Sequence, residues 1–181
     1  MKGCSKEALC LVIDVQERLV PVMRRPDGLV TDIVRLIHGM RILGIPVLAT
    51  EQYPRGLGKT VPEITGALGE SQEYWEKLSF SAFRDPAIQQ AVQDTGRRQV
   101  ILAGIEAHVC VMQTARDLLE AGFHPVIPAD CVSSRKKQDC KRALRRLERE
   151  GVVVTTSEAL LFELLEAAGT PEFKEISRLV K

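Results

Sequence analysis

Three side chains able to do acyl chemistry stand at separated points of this chain: the carboxylate of Asp14, the amine of Lys77 and the thiol of Cys110. Each lies at or just beyond the end of a short apolar run. A free thiol titrates near ~8.5 and is only a few per cent ionised at neutral pH. A helix N-terminus and a nearby ammonium both favour the thiolate. A carboxylate beside the sulfur takes its proton as general base. Backbone N–H groups at the same helix start hold a developing oxyanion, a contribution of about 3 kcal/mol per donor. Gathered in one pocket, these groups make a nucleophilic site for carbonyl carbon. Taken singly they are ordinary: a free cysteine is more often a small buried hydrophobe, Asp14 could cap a turn, and Lys77 could be a solvated charge.

Whether they gather depends on the elements that carry them. "ALCLVID" (8–14), "PVLAT" (46–50), "EYWEKL" (73–78), "QVILAG" (99–104), "HPVIPA" (124–129) and "VVVTT" (152–156) have the length and apolar character of strands. Between them run segments of helical period. Val30, Ile33, Val34, Ile37 and Met40 share one face of 30–43, and Gly44 stops that helix. Pro86 and Gly96 bracket a helix over 85–96. Further helices are expected over 110–121, in the charged stretch "KKQDCKRALRRLERE", and around 157–168 and 171–179.

This alternation predicts an α/β fold: a doubly wound, six-stranded parallel sheet of order 3-2-1-4-5-6, helices on both faces, a Rossmann-like three-layer sandwich. Residues 1–181 read as one domain. In such sheets ligands bind outside the carboxyl ends of the strands, where the strand order reverses. Strands one and four flank that point, so Asp14 and Cys110 should meet there, with Lys77 reaching in from further out.

Composition narrows the function. Lysine plus arginine number 25 against 24 acidic residues, interspersed, which gives no nucleic-acid footprint. No apolar run approaches the roughly 20 residues needed to span a bilayer. Five cysteines without a CxxC pair or zinc spacing suggest free thiols in a reducing, cytoplasmic setting. Cys4, Cys10, Cys131 and Cys140 lack the setting of Cys110 and read as structural. His38, His108 and His124 are too scattered for a metal cluster. His108 precedes Cys110 by two residues, a spacing that does not turn the two side chains together, and it reads as a loop residue. "GKT" at 58–60 lacks the first glycine of a phosphate loop, since Tyr53 stands there, and no GxGxxG follows the first strand. "TEQYPRGLGKTVP" instead reads as a long glycine-rich loop beside the pocket.

The chain resembles the isochorismatase-like cysteine hydrolases over nearly its whole length, through "CLVIDVQERL", "EKLSFSAF", "AGIEAHVCVMQTARDL" and "VIPADCVSSR". More narrowly, "TEQYPRGLGKTVPEI" is similar to the isochorismatase domain-containing proteins. The resemblance implies a catalytic triad at Asp14, Lys77 and Cys110 and a covalent thioester on Cys110. It also implies an oxyanion hole from the backbone N–H groups of Glu106 and Cys110, a cis peptide between Ile105 and Glu106, and a homo-oligomer. Metal-binding relatives place an aspartate and histidines after the second strand, where "TEQYPRGLGK" has no histidine. The expectation is therefore no cofactor and no catalytic metal. The cysteine favours a small amide or related acyl substrate, and a non-catalytic metabolite- or protein-binding domain of the same fold is the alternative. Gln16, Gln52, Tyr53, Phe80 and Ile105 are the candidate pocket residues. Glu106 stands where relatives often carry small residues, which puts its carboxylate either at the pocket or in a subunit contact.

Overall fold

The first apolar run forms β1 (Ala8–Ile13), with all six residues buried. A strand buried on both faces must be central and covered by helices on each side. In this computed structural model, which describes residues 5–181 and so leaves Cys4 outside the described residues, β1 pairs in parallel with β2 (Val47–Gln52) and β4 (Gln99–Ile105). β3 (Tyr74–Lys77) extends the sheet beyond β2, and β5 (His124–Pro128) and β7 (Val153–Thr155) extend it beyond β4. The order β3-β2-β1-β4-β5-β7 reproduces the expected path. The strand count differs: a two-residue strand, β6 (Val132–Ser133), pairs with Gly104 and Ile105 and makes seven. It arises because β4 runs further than β5, which leaves the last residues of β4 to find another partner.

The pleat divides β1 between two cores. Ala8, Cys10 and Val12 face α1 (Pro26–Ile42), while Leu9, Leu11 and Ile13 face the opposite layer. One short helix, α2 (Pro54–Leu57), lies within the stretch read as a loop, and another, α3 (Pro62–Leu68), begins at its last residue. Each starts on a proline, whose fixed φ suits a first helical position. α4 (Pro86–Asp94), α5 (Met112–Glu120) and α6 (Lys137–Glu150) cover the second face. α7 (Ser157–Leu165) and α8 (Pro171–Leu179) join α1 on the first. α1 begins at Pro26, four residues before the expected start. Among the described residues no helix is long and apolar enough to cross a membrane.

Candidate active site

β1 stops at Ile13, and Asp14 turns the chain with φ 55°. Aspartate tolerates this left-handed conformation better than most residues. The Asp14 N–H donates to the Thr50 carbonyl at 3.1 Å, which fixes the turn against the end of β2. The carboxylate is fully buried and both oxygens are engaged: Thr50 Oγ1 donates to Oδ1 at 2.7 Å and Lys77 Nζ donates to Oδ2 at 2.7 Å. Lys77 reaches it because β3 pairs with β2 so that Lys77 lies opposite Gln52, at the same carboxyl edge. The ammonium also donates to Gln52 Oε1 at 2.7 Å and to the Ser79 and Phe80 carbonyls at 3.2 Å. A buried ion pair is tolerable only when the remaining donors and acceptors are satisfied, and here they are.

Cys110 comes from across the strand-order reversal. Gly104, with φ 112°, lies so close to β1 that an added Cβ would sit 2.0 Å from the Ile13 carbonyl oxygen. The Ile105–Glu106 peptide bond that follows is cis. A wide turn over Ala107–Val111 follows, in which the Glu106 carbonyl accepts from both Val109 N–H and Val111 N–H, at 3.0 and 3.3 Å. Cys110 sits in that turn, 7% exposed. Burial pushes its thiol up to about 12, and the neighbouring Asp14 carboxylate pushes the same way. Lys77 and the Glu106 backbone N–H, which points at the sulfur, oppose them without prevailing. Burial and the Asp14 carboxylate thus favour the neutral thiol over the thiolate. Desolvation disfavours the anion, against the ammonium that favours it.

The other candidates disperse. A cavity of about 550 Å³ opens beside Lys77, with Tyr53, Arg55 and Ser79 in its wall. Gln52 contributes through Lys77 and also donates to the Leu78 carbonyl at 2.8 Å. Phe80, 55% exposed, supplies only its carbonyl to the ammonium. Gln16 has no exposed surface, and its amide donates to the Gln52 and Gly58 carbonyls and accepts from Gln52 N–H. It braces the 53–60 loop and is no pocket wall. Glu51 latches the same loop, accepting from Thr60 N–H at 2.7 Å and Thr60 Oγ1 at 2.9 Å. Ile105 is wholly buried in the core on the α1 face, again no pocket wall.

The Glu106 carboxylate is held within its own chain. It turns to Arg135 of the same chain, accepting from the backbone N–H at 3.1 Å and from Nε at 3.2 Å. His108 Nδ1 lies 2.9 Å from Ser134 Oγ, so the Cys110 turn is tied twice to residues 134–135. Two buried threonines escaped the sequence reading. Thr50 orients Asp14; Thr114, one turn after Cys110, donates to the Cys110 carbonyl at 2.7 Å and accepts from Ala82 N–H at 2.9 Å. A buried hydroxyl on the apolar face of α5 was the available signal. Among the described residues, no three His, Cys, Asp or Glu side chains are grouped as a metal site.

The sequence profile of the isochorismatase domain matches residues 8–159. The chain belongs to the isochorismatase family. It is 43% identical over 170 residues to isochorismatase domain-containing protein 1 of Salmo salar, an alignment covering 93% of this chain and 59% of that protein. Against isochorismatase domain-containing protein 2 of Danio rerio it is 43% identical over 177 residues, covering 97% and 88%. The chain thus spans less than two thirds of the first relative and most of the second. Among solved structures, one titled as MAR1 ribonuclease from Caenorhabditis elegans superposes with a TM-score of 0.93 at 38% identity, covering 99% of this chain and 92% of that one. The YcaC gene product of Escherichia coli, described as an octameric hydrolase of unknown specificity, shares the isochorismatase-family fold with a TM-score of 0.92 at 22% identity, covering 99% and 90%.

Proposed function

We propose that residues 1–181 act as one hydrolase domain that cleaves a small amide or related acyl substrate through Asp14, Lys77 and Cys110. The observation that carries this reading is the fully buried Asp14–Lys77 pair, 2.7 Å apart, with the buried Cys110 brought to it from beyond β4. In this reading Asp14 is the proton acceptor, Cys110 the nucleophile and Lys77 the cation of one dry site, as a proton-coupled attack requires.

The substrate carbonyl enters from the cavity beside Lys77. As the sulfur–carbon bond forms, the Sγ proton passes to Asp14, so no free thiolate accumulates. The carbonyl oxygen gains the electron pair and is received by the backbone N–H groups of Glu106 and Cys110. Collapse of the tetrahedral adduct expels the amine, which takes the proton from Asp14, and leaves an acyl thioester. Asp14 then draws a proton from water as its oxygen attacks the thioester, and returns it to the departing sulfur. Lys77 holds the carboxylate in place throughout. Protein groups and water balance every step, and the reading includes no cofactor or metal.

The wider setting follows from the same features. The four described cysteines are free, which suits a reducing, cytoplasmic location. Tyr53, Leu78 and Phe80 are exposed near the Lys77 segment, 76% in the case of Leu78, and together with the octameric YcaC they support a homo-oligomer. The partner is a small molecule, with no nucleic acid and no membrane. The raised thiol pKa favours one second reading, a ligand-binding domain without turnover. It weakens a redox-sensing role, because oxidation follows thiolate character.

A panel of small amides and esters tests the proposal. Turnover that is lost in Cys110→Ala, with the circular dichroism of the fold retained, supports it. Binding without turnover, or turnover unchanged in that variant, moves the binding-domain reading ahead.

A further inference from the structure

Beyond β4, over the ends of β5 and β6, lies a second cavity of about 570 Å³ that shares no wall residue with the one beside Lys77. It is bounded by the residues leading into α1, the β5–β6 connection and the first two turns of α6. Arg24 and Arg25 line one side, Lys137 and Lys141 the other. Arg25 is paired with Asp32. Arg24, Lys137 and Lys141 have no carboxylate partner among the described residues. The cavity's one acid, Asp130, already accepts from the N–H and hydroxyl of Ser157. Leu29, Val132 and Leu144 give its wall an apolar part.

Two of the cavity's cations, Lys137 and Lys141, come from a strongly basic stretch of the chain. Residues 135–149 hold eight basic and two acidic side chains, while the rest of the chain holds 17 basic and 22 acidic. Unpaired cations around one cavity attract anions. Local rules are broken in this way mainly where a ligand is received.

We propose that this cavity is a second binding site, for a small organic phosphate monoester. Three unpaired cations suit a group carrying close to two negative charges at neutral pH, whereas a carboxylate would balance only one. The apolar wall calls for a hydrocarbon or aromatic body attached to the phosphate. The volume lies within the ordinary range of small-molecule sites. The site stands on its own residues and does not depend on hydrolysis at Cys110.

Phenyl phosphate is the probe, titrated calorimetrically into the full chain with benzoate and an oligoribonucleotide as competitors. The expected result is one site per chain, binding weakened about tenfold or more in Lys137→Gln/Lys141→Gln, and no change in Lys174→Gln, a distant exposed lysine. Cys140, half-buried in the same cavity, reports occupancy independently: its reaction with methyl methanethiosulfonate should slow when phenyl phosphate is present. No heat and no protection of Cys140 at millimolar probe overturns the proposal. So does equal binding by the double variant with its fold intact. An oligoribonucleotide that binds more tightly than phenyl phosphate, and is weakened by Arg145→Gln/Arg149→Gln outside the cavity, replaces it with a nucleic-acid surface.

Discussion

Lys77 Nζ lies 2.7 Å from Asp14 Oδ2, and neither side chain has any exposed surface. The two residues are 63 positions apart in sequence, and three adjacent parallel strands bring them to one edge. Everything proposed for Cys110 depends on this pair, because it fixes where a proton can go.

Breaking the pair from one side should be costly. Lys77→Met leaves a buried carboxylate with one oxygen uncompensated, and a loss of about 3–5 kcal/mol is expected. Lys77→Met combined with Asp14→Asn should lose less than the sum of the two single variants, since no charge is then stranded. Urea unfolding of the four proteins gives the coupling directly.

Thr50 is a positioning residue whose hydroxyl donates to Asp14. Thr50→Val removes the donor to Oδ1 but keeps the shape, at an expected cost of about 1–3 kcal/mol. Where turnover is found, its rate should fall with KM little changed, and Thr50→Ser should restore it. A purely structural role would lower stability without that rescue in rate.

Stability should decline in alkali. Burial raises Cys10 and Cys110 from the ordinary value of 9.0 to about 12. Between those values the unfolded chain has released thiol protons that the folded chain still holds. The unfolded state then binds fewer protons, so the unfolding free energy falls as pH rises, by about 1.4 kcal/mol per pH unit for each thiol. Below pH 9 these two groups add no slope. Denaturant titrations across the window should show a shallower decline in Cys10→Ala.

Gly104 admits no side chain. Its φ of 112° disfavours any L residue, and a Cβ would overlap the β1 backbone at Ile13. Gly104→Ala must therefore part β1 from β4 at the point where both deliver their reactive residues. The expected outcome is a fall in melting temperature together with loss of selective acylation at Cys110, and a variant as stable and reactive as the parent would refute this.

Much of the frame was legible because its signals are local. β1 and β4 are continuous apolar runs, and the strand alternation implies their order, hence the meeting of Asp14 with residues beyond β4. What escaped depends on tertiary context. β6 is two residues long and exists only because β4 outruns β5. The proline and glycine density of 50–62 resembles a loop, yet each proline there starts a short helix. Thr50 and Thr114 are ordinary residues for a strand and a helix until their hydroxyls are found buried. The direction of the Cys110 pKa depends on how much water its neighbours exclude, which spacing does not encode.

The most direct test of the account is the acylation of Cys110. The protein would be mixed with para-nitrophenyl acetate, quenched in acid within the first turnovers, and mapped by peptide mass spectrometry. The account predicts an acetyl group on the peptide carrying Cys110 that disappears as turnover ends. It also predicts that this adduct forms far more slowly in Asp14→Asn and that rapid nitrophenol release is absent in Cys110→Ala. Nitrophenol release at an unchanged rate in Cys110→Ala, with no acetyl group found on Cys110 in the parent, would contradict it.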